Sequence, residues 1–468
     1  MRTMNPLLQR VSVDGGRPIP DAATGETIGY APEHVVNDLE ALITRARIAQ
    51  PAWAALPASE RGALLHAAAE RVALVADELA DAVSREQGKP LNGIGARVEV
   101  GAVQGWLHVN ADLEVAPEVL VDDAENYSEL IYKPVGLVGA VGPWNWPLMI
   151  TIWQIAPALK MGNAVIVKPS EYTPLSVLAL VSILNEVLPE GVLQVISGGR
   201  AVGAALTSHP AFGKIMFTGS TATGKAIAAA SAQNLTRLTL ELGGNDAGIV
   251  LPGTDIDAHL DALFWGAFIN TGQTCAALKR LYVHESQYEQ VLDALARKAA
   301  ATPMGRGVDE SNELGPLQNA MQFDIVARLV DDARARGRRI VTGGSPAPHL
   351  GRTFFEATIV GDAVDGDPIV DEEQFGPVLP VIRYDTVESA IASANRLDAA
   401  LGASVWGDDP AQTREVALRL EAGTVWINKH GGIHPMVPFG GIKGSGYGME
   451  FGFEGLKSVA VPVVITSR

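Results

Sequence analysis

Between residues 135 and 244 the chain alternates short apolar, β-branched runs with longer stretches of helical period. The runs are "VGLVGAV", "NAVIVKPS", "LQVISG", "KIMFTGS" and "RLTLELGG"; between the later ones lie "PLSVLALVSILNEVLPEG", "AVGAALTSH" and "ATGKAIAAASAQ". An apolar run of strand length without polar alternation predicts a strand covered on both faces, and the intervening helices predict βαβ crossovers. The region therefore reads as an α/β unit, a parallel sheet with helices on both sides. Ahead of it, residues 35–87 read as long Ala-rich amphipathic helices, with Ser59 and Glu60 near a helix start. A second alternating region, about 255–425, predicts an α/β domain of its own. No internal repeat or low-complexity tract interrupts the pattern.

One apolar stretch needs separate treatment, because no charge falls between Lys133 and Lys160. Its length would permit a membrane span. Pro143, Pro147 and Pro157, with three glycines in the first half, instead divide it into a buried strand, the turn "GPWNWP" and a helix starting near Leu148. Composition agrees: with 47% hydrophobic and 19% charged residues in 468, the chain has the make-up of a soluble protein too long for a single core. A net charge of −17 opposes a surface that tracks phosphates. The basic run "ARARGRR" is short and lies in a helix-like segment, so no nucleic acid is expected. A single cysteine excludes an internal disulfide, and no charged-then-apolar leader precedes "MRTMNPLLQR", which together predict a cytoplasmic protein.

Two phosphate-binding patterns almost fit "GSTATGKA". As a P-loop it lacks the hydroxyl after Lys225, where Ala226 stands; as a dinucleotide turn it keeps Gly219 and Gly224 but has Thr221 where the middle glycine belongs. Alone, it is equally a capped helix start. "HGGIH" has the spacing of some metal pairs, but its glycines disfavour a helix and no acidic or thiol ligand adjoins it. No metal is expected, and the loop is expected to shape a substrate entrance near Phe439.

Seven motifs in order, "VGPWNWP", "VKPSE", "FTGST", "LELGG", "GQTC", "EEQFGPV" and "PFGGIKGSG", closely resemble the aldehyde dehydrogenase superfamily along nearly the whole chain. The resemblance implies two Rossmann-like α/β domains and a small β oligomerisation arm. It assigns 1–115 and 135–244 to NAD binding, 245–445 to catalysis, and 116–134 with 446–468 to the arm. Such arms pair across subunits, so a homodimer or homotetramer is implied.

Within that resemblance the lone Cys275 is the nucleophile. A thiolate adds to an aldehyde carbonyl, and the thioester left after hydride loss is open to water; by itself, an isolated cysteine is more often an inert small hydrophobe. Glu241 of "LELGG" is implied as the hydrolytic base, followed by small Gly243 and Gly244, and Asn145 as an oxyanion donor. For the cofactor, the resemblance implies Val141, Gly142, Pro143, Trp144, Lys168, Ser170, Glu171, Gly199, Gly203, Phe217, Gly219, Ser220, Thr223, Leu242, Gly243, Gln322, Glu373 and Phe375. Lys168 and Glu171 fall at the adenosine ribose, Gln322 near the adenine side, and Glu373 with Phe375 at the nicotinamide ribose. A 2′-phosphate would meet the like charge of Glu171, so NAD is expected over NADP. Trp146, Met149, Ile150, Trp153, Thr274, Ala276 and Phe439 are implied as the aldehyde channel. Their apolar, aromatic character predicts medium-sized apolar aldehydes. A coenzyme A-acylating enzyme and a catalytically silent member of the fold are the alternatives; Glu241 counts against the first, and Cys275, Glu241 and Asn145 together against the second.

Overall fold

The computed structural model describes residues 5–467. The first alternating region forms a six-stranded sheet in the spatial order Gly446–Tyr447, Arg237–Glu241, Lys214–Thr218, Leu137–Val141, Ala164–Lys168, Leu193–Val195. The five strands from 137 to 241 run parallel, and Gly446–Tyr447 closes one edge antiparallel. Leu137–Val141, Ala164–Lys168 and Lys214–Thr218 are buried at every position, as their uninterrupted apolar runs predict. The chain builds outward from Leu137–Val141 in one direction and then resumes at Lys214–Thr218 on its other side. The order therefore reverses between these two strands, and such a switch point opens a crevice at the carboxyl ends. Gly142–Asn145 and Gly219–Ser220 leave the sheet at that crevice.

The second region forms a seven-stranded sheet in the order Arg339–Thr342, Thr358–Ala363, Val378–Tyr384, Leu278–His284, Asp246–Val250, Gly402–Trp406, Thr424–Ile427. All neighbours are parallel except the Arg339–Thr342 edge. Glu241 ends a strand of the first sheet and Asp246 begins one of the second, so the chain crosses between them through Leu242–Asn245. Cys275 lies just before Leu278–His284. The thiol and the carboxylate thus meet where the carboxyl edge of one sheet faces the amino edge of the other.

Helices Asp38–Ala55, Ala58–Ala73, Ala76–Gln87 and Ala96–Asp112 precede the first sheet, with Ser59 and Glu60 in the opening turn of the second of them. The uncharged stretch resolves into Leu137–Val141, a turn and the wholly buried helix Pro147–Lys160. Among the described residues no helix is long and apolar enough to cross a membrane. The basic run does not stay helical. The helix Ala320–Ala335 stops inside it, Gly337 turns with a φ of +74°, and Arg339 opens a strand. Its arginines are answered by acids: Arg334 by Asp331, Arg336 by Asp332, Arg338 by Asp367 and Arg339 by Glu289.

A three-stranded antiparallel sheet stands apart, with Tyr127–Pro134 between Glu118–Asp122 and Ala460–Ser467. Every residue of Glu118–Asp122 is exposed.

Candidate active site

The turn that follows Leu137–Val141 places Asn145, which is buried. Its side-chain amide donates to the Gln273 carbonyl at 2.9 Å, and an amide nitrogen has a second N–H left to give. Its own carbonyl accepts from Lys89 Nζ and Asn270 Nδ2, each at 2.9 Å. Lys89 pairs with Glu99, both side chains fully buried, and its ammonium lies 3.4 Å from the centre of the Trp146 ring. Burial lowers the Lys89 pKa to about 8, against the pull of Glu99. Glu99 in turn accepts from the Leu148 and Met149 backbone N–H groups at 2.9 and 3.1 Å, capping the first turn of Pro147–Lys160. The turn carrying Asn145 is therefore held from both sides by buried charge.

The thiol loop is held by its own backbone. Asn270, Thr271 and Gly272 have φ values of 51°, 57° and 75°, and a Cβ on Gly272 would collide with the Gly376 carbonyl. Cys275, partly buried, packs against the apolar core of the first domain. Burial pushes its thiol up to about 12. The Lys279 charge pulls it down, while Glu373, Glu241 and Asp246 push it further up. Lys279 Nζ donates to the Cys275 carbonyl at 2.5 Å and the Gly244 carbonyl at 3.2 Å, and pairs with Glu373 at 2.8 Å.

Glu241 is buried and no side chain donates to its carboxylate; the Gly441 backbone N–H is the one group that eases its charge. Burial first, then the charge of Glu450, holds its pKa well above the carboxylate range. Glu450 is itself buried without partners and pushed by burial to about 8, with Lys214 opposing.

The residues implied for the cofactor fall into two groups. At the carboxyl end of Ala164–Lys168, a Cβ on Gly203 would lie 3.2 Å from Lys168 Cε, and one on Gly199 3.4 Å from Glu171 Oε2. Lys168 Nζ bonds the Pro169 carbonyl at 3.1 Å, and burial lowers its pKa. Ser170 Oγ accepts from Tyr172 N–H. Beside this group, Gly142 N–H donates to the Lys168 carbonyl, and Ser220 caps the helix Thr221–Ser231 by accepting from Thr223 N–H. Phe217 lies under Gly219 and Leu242 under Gly224. The second group is the 373–375 loop. The Phe375 ring meets Trp144 edge-on at 5.3 Å, and Glu373 lies against Gly243. Gln322 donates to the Gln374 carbonyl at 2.8 Å, which ties it to this loop and not to the Lys168 and Glu171 group.

Trp146 donates to Thr274 Oγ1 at 2.9 Å. Trp153, Trp106, Phe451 and Phe439 form an aromatic cluster, with ring centres 4.7 Å apart for Trp153–Phe451, 5.2 Å for Trp106–Phe451 and 5.8 Å for Phe439–Phe451. Met149, Ile150 and Ala276 join the same buried core. Trp106, Phe451, Lys89, Glu99, Glu450 and Asp246 were not legible as site residues. Lys279, four positions after Cys275, carried a local signal, since a cation near a thiol favours the thiolate.

A thiol, a buried carboxylate and an amide thus gather at the junction of two α/β sheets, an arrangement able to support nucleophilic chemistry on cysteine. Comparison with known proteins names the family. The sequence model of the aldehyde dehydrogenase family matches residues 14–463. Phenylacetaldehyde dehydrogenase of Pseudomonas fluorescens is 36% identical over 446 residues, 92% of this chain and 88% of that protein. The NAD+ complex of an aldehyde dehydrogenase from Bacillus cereus superposes with a TM-score of 0.93 at 32% identity, covering 96% of this chain and 92% of that one. An NADP-dependent enzyme of E. coli does so with a TM-score of 0.93 at 32% identity, covering 96% and 94%. The chain belongs to the aldehyde dehydrogenase family.

Proposed function

We propose that the protein oxidises medium-sized apolar aldehydes to carboxylic acids with NAD, by way of a thiohemiacetal and then a thioester on Cys275. The observation that carries this reading is that the only thiol feels the charge of Glu241, a buried carboxylate to which no side chain donates. A carboxylate left free at the cost of burial has its basicity available for work.

Cys275 Sγ adds to the aldehyde carbonyl, and its proton passes to a base. The free N–H of Asn145 and the Cys275 backbone N–H face the developing oxyanion. Lys279 sits close enough to pull the thiol down, in opposition to its burial. NAD, held at Glu171, Lys168 and the start of Thr221–Ser231, would supply the acceptor for the hydride whose loss turns the thiohemiacetal on Cys275 into the thioester. Glu241 then takes a proton from water, whose oxygen attacks the thioester carbonyl; the C–S bond of the adduct breaks, the carboxylic acid is released and Cys275 is left as the thiolate.

The residues present suit NAD. Gly199 and Gly203 keep the space beside Glu171 and Lys168 clear of side chains, and the capped start of Thr221–Ser231 offers backbone N–H groups to a pyrophosphate. Glu171 disfavours a 2′-phosphate. The six-stranded sheet with its helices is the cofactor half, the seven-stranded sheet the catalytic half, and the three-stranded sheet joins subunits into a homodimer or homotetramer.

Glu241→Gln tests the chemistry, with Cys275→Ser as its control. Mixed with NAD and an aldehyde, Glu241→Gln is expected to release up to one equivalent of NADH per site and then slow at least ~100-fold as acyl-enzyme accumulates on Cys275, visible by mass spectrometry. Cys275→Ser is expected to bind NAD and give no burst. Full steady-state turnover of Glu241→Gln would remove water activation by Glu241 from the mechanism.

A further inference from the structure

His430 and His434, spaced like a metal pair, have different surroundings: His434 is exposed, and the His430 side chain is wholly buried. His430 Nε2 stands 3.5 Å from Asp246 Oδ2, and Nδ1 lies 2.9 Å from Ser404 Oγ. Trp426 packs on the ring at 4.9 Å between centres and donates its indole N–H to the Gly432 carbonyl at 2.7 Å. The helix Ile256–Phe268 meets the ring through Gly266. Among the described residues, Asp246 is the sole recorded ion-pair partner of His430.

Asp246 is fully buried, and neither of its oxygens has a hydrogen-bond partner; nor has His430 Nε2. Two glycines wall the carboxylate. A Cβ on Gly244 would lie 2.7 Å from Oδ1, and one on Gly402 would collide with Oδ2. A buried carboxylate without donors is costly, and one proton held between Oδ2 and Nε2 answers both orphaned atoms at once.

The pair also joins two parts of the site. Asp246 follows Gly244, whose carbonyl shares Lys279 with Cys275. Gly431, next to His430, faces the Ala276 carbonyl, where a Cβ would stand at 3.0 Å. The same loop runs on to Phe439. We infer that Asp246 and His430 form a buried proton-sharing pair that pins loop 428–439 against the thiol loop and so positions the aldehyde entrance. The role in aldehyde entry rests on the function proposed above; the pairing does not.

Four proteins test it: wild type, Asp246→Asn, His430→Gln and the double variant. Cys275 is the only cysteine, so iodoacetamide reports on it alone. The charged groups facing that thiol are Lys279, Glu373, Glu241 and Asp246. His430→Gln is expected to leave the Asp246 charge bare, to move the alkylation midpoint to higher pH and to raise KM for hexanal ~10-fold while kcat changes less than ~3-fold. Adding Asp246→Asn is expected to return the alkylation midpoint to that of wild type, because no bare charge remains, and to leave KM raised ~10-fold as in His430→Gln and no further, because the pin is already absent there. A double variant as impaired as the sum of the singles would overturn the pairing. Should His430→Gln fail to fold, Asp246→Asn alone decides: a neutral amide in place of a charge-neutral pair is expected to leave the alkylation midpoint unmoved, and a midpoint that falls to lower pH would show an unshared Asp246 charge beside the thiol and overturn the proposal. A wild type unable to oxidise aldehydes would sink the proposed function, and the alkylation comparison would still settle the pair.

Discussion

Three ionisable groups of the site depart from their ordinary behaviour for one reason, removal from water without full compensation. Burial raises Cys275, Glu241 and Glu450 alike, because each is charged only when deprotonated. If Glu241 is the base for thioester hydrolysis, kcat is expected to rise with pH along a limb lying above the ordinary carboxylate range. Glu450→Gln removes the charge that adds to burial in raising Glu241, so the limb is expected to move to lower pH; an unmoved limb would separate Glu450 from the base. The same variant has a stability signature. A carboxyl raised in the folded state keeps its proton where the unfolded chain loses it, so stability falls as pH rises from about 4.5 through about 8. Denaturation of Glu450→Gln is expected to show a flatter decline over that window. Of these groups, Cys275 and Glu241 were legible from their motifs, whereas Glu450 was not, since a carboxylate becomes unusual only once the fold withholds water and partners.

The turn at the start of Pro147–Lys160 shows what an element needs beyond its own residues. Pro147 and the apolar run predict the helix and its start. What satisfies its first N–H groups is Glu99, on another helix, and what neutralises Glu99 is Lys89 from the loop between two helices. Lys89→Met is expected to cost about 3–5 kcal/mol in chemical denaturation, because it strands a buried carboxylate. It is also expected to lower kcat more than it raises KM, since the Asn145 carbonyl loses one of its two side-chain donors. A loss of stability without any change in kcat would show that the pair supports the helix and not Asn145, the proposed oxyanion donor. The basic run 333–339 failed as a helical segment for a local reason: Gly337 can take the positive φ that ends a helix, and the arginines beyond it then find acids on other elements.

At the scale of the whole molecule, the three-stranded sheet offers two open edges. Its outer strands expose Val119, Leu120, Val121, Val464 and Ile465, and such edges invite pairing with another chain. Val121→Lys with Val464→Lys is expected to shift the protein to a smaller species in light scattering while leaving its circular dichroism intact. An unchanged mass would place the subunit contact elsewhere. The sequence by itself determined the alternation of strand and helix, the parallel sheets and the motif residues Cys275, Glu241 and Asn145, because period, turn residues and contiguous motifs are properties of neighbours along the chain. Tertiary structure alone decided the Asp246–His430 pair, the Lys89–Glu99 support, the Trp106 and Phe451 walls and the attachment of Gln322 to the 373–375 loop. Those contacts join residues distant in sequence, and their worth depends on excluded water and on partner geometry, neither of which exists until the two sheets face each other.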